Sequence, residues 1–134
     1  MISFLLDTNA FSELTRSKFG AVGRRVIDQG VGVCGVSVIS AGEIYYGAEW
    51  KSGRRLRQRI DEALEYLAVL PFEPPADRIY GKIRADLRHN GTSIGPNDLL
   101  IAAHALALDV VLVTDNENEF SRIPDLRIEN WLRG

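Results

Sequence analysis

Cysteine is almost absent: Cys34 is the only one in 134 residues, so no intrachain disulfide can form. It lies in an apolar stretch and reads as a small core residue, which fits a reducing cytoplasm. No apolar run is long enough to span a membrane, and the N-terminus lacks a basic-then-apolar signal layout. There is no internal repeat, no low-complexity linker and no sign of a second domain. Charge of one sign is also lacking, since the formal net charge is −2. That argues against nucleic-acid binding through bulk charge, although it leaves room for a local basic surface.

What is present is ordinary in amount and unusual in placement. The chain is 46% hydrophobic and 25% charged, the balance of one soluble domain spanning 1–134. Apolar runs alternate with helical periodicity. Strands are expected at Ile2–Leu6, Val31–Val36, Val69–Phe72, Val110–Val113 and, weakly, Leu126–Ile128. Helices are expected around Ala10–Thr15, over Ala21–Gln29, from Ser37 to about Lys51, and over Arg54–Ala68, Ala76–Leu87 and Pro96–Asp109, with Gly91 as a left-handed stop. A polar turn or short helix follows Val113. This order predicts a three-layer α/β/α sandwich around a mainly parallel sheet.

Four acidic stations stand at the edges of these elements: Asp7, Glu43, Asp98 and the stretch Asp115–Glu119. In parallel sheets, sites gather beyond the carboxyl ends of strands, where Asp7 and Asp115 fall. Carboxylates brought together repel, and burial raises the cost of their charge. A hard cation such as Mg²⁺ or Mn²⁺ offsets that cost, so metal-assisted phosphate chemistry is the leading expectation.

Each station also has a plainer reading. Asp7 can cap the next helix, with Thr8 and Asn9 adding local hydrogen bonds. Ser40-Ala41-Gly42-Glu43 matches a capping box, whereas a start at Ser37 would place Glu43 inside the helix with Gly47 one turn on. Asp98 follows Pro96 at the positive end of a helix, where an acid is favourable without any ligand. The last stretch can be a surface loop. It is the joint occurrence that favours a site.

Basic residues concentrate at Lys51, Arg54, Arg55, Arg57 and Arg59, a solvated helix face or a phosphate-tracking patch. Tyr45, Tyr46 and Trp50 on the preceding helix are expected in core or dimer packing, with base stacking as the rival role. His104 is six residues after Asp98, on a different helix face, and is expected to be a packing or polar-contact residue.

The motifs carry a family resemblance. Leu5-Leu6-Asp7-Thr8-Asn9 resembles the opening motif of the PIN-domain nucleases. Ser37 through Glu43-Ile44-Tyr45-Tyr46-Gly47 resembles the second, Gly95-Pro96-Asn97-Asp98 through Ala105 the third, and Val113-Thr114-Asp115-Asn116 with Glu119-Phe120 the fourth. Single-domain length and the tail from Arg122 to Trp131 resemble the VapC toxins of bacterial type II toxin–antitoxin operons.

The resemblance implies a Mg²⁺- or Mn²⁺-dependent endoribonuclease that leaves 5′-phosphate and 3′-hydroxyl ends. It further implies homodimerisation and neutralisation by a VapB-type antitoxin, whose basic side chain would insert among the carboxylates. Its substrate would be tRNA, with initiator tRNA suggested by the tail. By position, Asp7 and Asp98 are the principal metal ligands and Glu43 the third acid. The fourth position, where many relatives carry an acid, is Asn116 here. Asp115 or Glu119 completes the set, with Thr8, Asn9, Thr114 and Asn116 as supporting groups and Arg54, Arg55 and Arg57 as RNA contacts.

Two rivals are weaker. A phosphatase of the haloacid-dehalogenase type wants Asp-x-Asp after its first strand, and this chain has Asp7-Thr8-Asn9. A catalytically silent interaction module predicts missing acids.

Overall fold

The computed structural model describes residues 1–133. Its centre is a five-stranded, all-parallel sheet of order β3-β2-β1-β4-β5. The strands are β1 (Phe4–Leu6), β2 (Cys34–Ser37), β3 (Ala68–Leu70), β4 (Val111–Val113) and β5 (Ile128–Glu129). The helices are α1 (Thr8–Arg16), α2 (Ala21–Gln29), α3 (Val38–Trp50), α4 (Arg54–Ala63), α5 (Ala76–His89), α6 (Pro96–Leu108) and α7 (Glu117–Phe120).

Side chains alternate across a strand, so the central strand serves both faces of the sheet. Leu6 joins Phe11, Leu14, Val22, Val36, Ile60 and Trp131 in one core, against α1, α2 and α4. Leu5 joins Leu87, Leu99, Ile101, Leu112 and Phe120 in the other, against α5 and α6. Both leucines are fully buried. This is the expected three-layer sandwich, and β1 with its two neighbours carries the acids at its carboxyl end.

Several boundaries differ from expectation for local reasons. Gly30 and Gly32 both adopt positive φ, which turns the chain and delays β2 to Cys34. α4 ends at Ala63 rather than Ala68, because Glu65 and Tyr66 donate to carbonyls three residues back and tighten the chain into a turn. Leu64 and Leu67 still pack on the core, so their apolar spacing continues past the helix. β3 stops before Pro71, which has no N–H to continue a ladder. Asp125, at φ 68°, bends the tail so that Ile128 and Glu129 are the residues that pair with Leu112 and Val113.

Ser37 is the cap of α3, accepting from the Ile39 N–H at 3.1 Å. The capping-box start at Ser40 is therefore not used, and Glu43 lies within the helix. Ser37 Oγ also hydrogen-bonds with Nδ1 of His104, 2.9 Å away on α6. His104 is buried, edge-on to Phe72, and burial holds it neutral against the opposing pull of the Pro71 carbonyl and Glu73. The expected packing role thus includes a buried tie between α3 and α6, the helices that bear Glu43 and Asp98.

Candidate metal centre

The two readings of Asp7 hold together. Its Oδ1 accepts from the Ala10 N–H at 2.8 Å and caps α1, while its Oδ2 accepts from Thr114 Oγ1 at 2.6 Å across the β1–β4 seam. Asp7 is only 3% exposed. Burial raises its pKa, the Thr114 hydroxyl and the Ala10 N–H work against that rise, and the Asp115 charge adds to it. Thr114 also accepts from the Asn116 N–H at 2.9 Å, so one buried hydroxyl orients both neighbours.

Glu43 projects from α3 and accepts from Thr8 Oγ1 at 2.9 Å; Ser40 Oγ lies 3.0 Å from the same hydroxyl. Asn9 is exposed and turns its backbone N–H toward Asp7. Gly47 faces open space, so no neighbour takes up the room it leaves beside Glu43.

Asp98 stands in the first turn of α6, behind Pro96. Its carboxyl is pushed up to about 6, first by burial, then by the charge of Glu119 and a hydrogen bond shared with it, then by the charges of Asp7 and Glu43. Glu119 is the ionised member of that pair. Burial raises its pKa, but the Gly95 N–H at 2.9 Å, Asn116 Nδ2 at 2.6 Å and the shared proton of Asp98 together lower it.

Asp115 is placed differently. It is exposed and accepts from Asn130 Nδ2 at 2.7 Å and Arg133 Nε at 3.1 Å, which hold its carboxyl below the usual range. Its link to the acids is a charge effect on Asp7. The structure therefore brings Asp7, Glu43, Asp98 and Glu119 toward one another and ties Asp115 to the tail. Arg54, Arg55 and Arg57 lie on the exposed face of α4, where Arg57 pairs with Glu49.

Among the described residues, Asp7, Glu43, Asp98 and Glu119 make no salt bridge. Nor, among the described residues, do three carboxylates already converge as a finished ligand cage. They are instead satisfied by Thr114, Thr8 and the proton shared by Asp98 and Glu119. Arg122 bears on Glu119 only as a nearby charge, and hard oxygen donors in no salt bridge fit a small divalent ion and repel an anion.

The shared proton has a measurable consequence. The folded pKa of Asp98 exceeds its unfolded value, so between pH 4 and about 6 the native state binds more protons than the unfolded chain. The Asp98 contribution to the stability of the metal-free protein is then largest on the acid side and is lost as pH rises through about 6; the raised pKa of Asp7 acts in the same sense, whereas His104, held neutral by burial, acts in the opposite one. In chelator, the Tm of Asp98→Asn relative to wild type is expected to be higher at pH 7 than at pH 5. A Tm difference that shrinks from pH 5 to pH 7 would contradict this account.

A family model for the PIN domain matches residues 4–126. Ribonuclease VapC2 of Haemophilus influenzae is 36% identical over 133 residues, covering 98% of this chain and all of the relative. The chain belongs to the PIN-domain family, in its VapC ribonuclease branch. A second VapC relative, the tRNA(fMet)-specific endonuclease VapC of Salmonella typhimurium, is 36% identical over 132 residues, covering 98% of this chain and 99% of that one. Among solved structures, VapBC2 from Rickettsia felis bound to a promoter DNA fragment superposes with a TM-score of 0.88 at 34% identity, covering 98% of this chain and 99% of that one. DNA-bound VapBC from Salmonella typhimurium gives 0.86 at 34%, with the same coverage. As a PIN-domain VapC ribonuclease, the protein is a nuclease rather than a phosphatase or a silent module.

One feature of this VapC site had no sequence signal, the Gly95 N–H that seats Glu119, a backbone donor. Thr8 was visible as a supporting group, but the approach of its hydroxyl to both Ser40 and Glu43 needs the packing of α1 on α3. The hydroxyl of Thr114 was visible as a supporting group, and it bridges two of the motifs.

Proposed function

We propose that this chain is the toxin of a VapBC-type pair, acting in the cytoplasm as a Mg²⁺- or Mn²⁺-dependent endoribonuclease on tRNA, with initiator tRNA the first substrate to test. The observation that carries the reading is that Asp98 feels the charges of Asp7, Glu43 and Glu119, acids from separate elements, none of which is in a salt bridge among the described residues. The relative specific for tRNA(fMet) and the VapBC complexes support the choice of substrate and of a VapB-type antitoxin partner. Homodimerisation belongs to the same proposal.

Asp7, Glu43 and Asp98 are assigned as metal ligands. Glu119 is preferred to Asp115 as the fourth acid because it shares a proton with Asp98, whereas Asp115 is engaged by Asn130 and Arg133. When bound, a divalent ion supplies positive charge at the phosphate and an activated water. The protein's own part is orientation. Thr114 and the Ala10 N–H fix both oxygens of Asp7, Thr8 turns Glu43, and Asn116 with the Gly95 N–H holds Glu119 against Asp98. Ionisation of Asp98 returns the shared proton to solvent and readies the pair for a cation.

Purified wild type and Asp7→Ala are to be compared on total cellular RNA, with Mg²⁺ and with chelator. Cleavage by wild type in Mg²⁺ alone is expected, with none by the variant. Equal cleavage by both, or cleavage indifferent to chelation, would sink the assignment. RNA-end sequencing after brief induction then identifies the substrate. For the antitoxin, loss of inhibition on changing its basic residues is expected; loss only on changing apolar ones counts against insertion of a cation into the site.

A further inference from the structure

Tyr46 and Trp50 follow Glu43 by three and seven residues on α3, so both rings lie along the helix face that begins at the acids. The expected core packing does not hold for them. Tyr46 is 67% and Trp50 77% exposed, and the rings stack on each other with centroids 6.5 Å apart and planes 28° apart. Tyr45 instead packs against the core and donates to Asp61 at 2.9 Å. A side chain built at Gly42 or Gly47 would meet nothing within 4 Å, so the surface beside the rings is unobstructed.

At 1.5 Å per residue, Trp50 lies about 10 Å along the axis from Glu43, within reach of bases flanking a phosphate held at the acids. Directly beyond it come Lys51, Arg54 and Arg55, all exposed and, among the described residues, in no salt bridge. The face thus runs from an acidic end, through two open aromatic rings, to a cationic end. An apolar protein partner gains nothing from those cations. A polyanion with flat bases matches both features, since bases stack on aromatics and phosphates pair with Lys and Arg.

We propose that Tyr46 and Trp50 form a stacking platform for single-stranded RNA next to the scissile bond, with Lys51, Arg54 and Arg55 holding its phosphates. This rests on the nuclease reading above and adds to it the strand's path and its unpaired state.

The test uses the full chain in an Asp98→Asn background, with a fluorescein-labelled twelve-nucleotide RNA of mixed sequence, single-stranded or annealed to its complement. Trp50→Ala and Tyr46→Ala are each expected to weaken single-strand binding by on the order of tenfold, while Trp50→Phe retains most of it. Because Trp131 is buried, quenching of tryptophan emission by RNA should vanish in Trp50→Phe although binding persists. With the catalytic acids intact, Trp50→Ala should raise KM for the single strand and leave kcat nearly unchanged.

Unaltered binding and KM in both alanine variants would overturn the platform, as would equal dependence on Trp50 for the duplex. A lower solution mass for Trp50→Ala than for wild type would also overturn it and assign the face to a second copy of the chain. If RNA quenches Trp50 but is not cut by wild type in any metal, the nuclease reading falls and the platform stands.

Discussion

Asp98→Asn is expected to lower RNA cleavage on the order of 10³-fold or more while raising the melting temperature of the metal-free protein. Asn keeps the shape of the side chain and removes a charge that the fold carries at a cost. That charge is opposed by burial and by Glu119, Asp7 and Glu43, which together push the carboxyl up to about 6. Asp98 is partly buried, so partial solvent screening leaves a gain of about 1 kcal/mol at pH 7, or roughly 4 °C in Tm. Saturating Mg²⁺ should reverse the order, because wild type gains stability from the ion and the variant gains much less. Calorimetry in chelator and in Mg²⁺, beside a cleavage assay, checks both halves. An Asn variant less stable than wild type in chelator would show that the acids do not strain one another.

The second large effect falls on stability. Trp131 is 1% exposed, with its ring 5.0 Å from Phe4, the Arg25 guanidinium 5.1 Å from its centroid, and its Nε1 donating to Glu129 at 2.9 Å. Trp131→Ala removes a large buried side chain and is expected to cost about 3–5 kcal/mol, a substantial share of the total stability of a small domain. Trp131→Phe, which keeps an aromatic ring, should cost clearly less.

Activity is expected to fall with stability. Glu129 of β5 accepts from the Thr114 N–H at 2.9 Å, and Thr114 is the residue that orients Asp7. Urea titration of wild type and both variants is the measurement. An alanine variant within 1 kcal/mol of wild type would mean that the tail is not part of the core.

How far the sequence could be read depends on whether a signal was local. The end of β1 and the role of Asp7 as a cap were visible because an apolar run stops at an acid followed by a helix, and the same carboxylate also faces Thr114. The start of α3 at Ser37 was visible for the same reason. Asp115 and Glu119 could not be told apart, because the difference is made by Asn130 and Arg133, which reach Asp115 from the tail. That Tyr46 and Trp50 stay out of the core was hidden for a related reason. α3 is apolar almost all round, and periodicity alone does not say which side of such a helix its neighbours cover. The early end of α4 was hidden because Leu64 and Leu67 keep their core contacts through a turn.

The hydrogen bond between Asp7 and Thr114 joins residues 107 positions apart, and Glu119 is later still. During translation the first acid leaves the ribosome long before its orienting hydroxyl has been made, and β1 must wait for β4 to fill its second edge. Under the proposed function, no growing chain carries an assembled site. Such a ribonuclease is harmless to the messenger that encodes it until its synthesis is almost complete, and a prematurely terminated product is inert rather than a weak toxin.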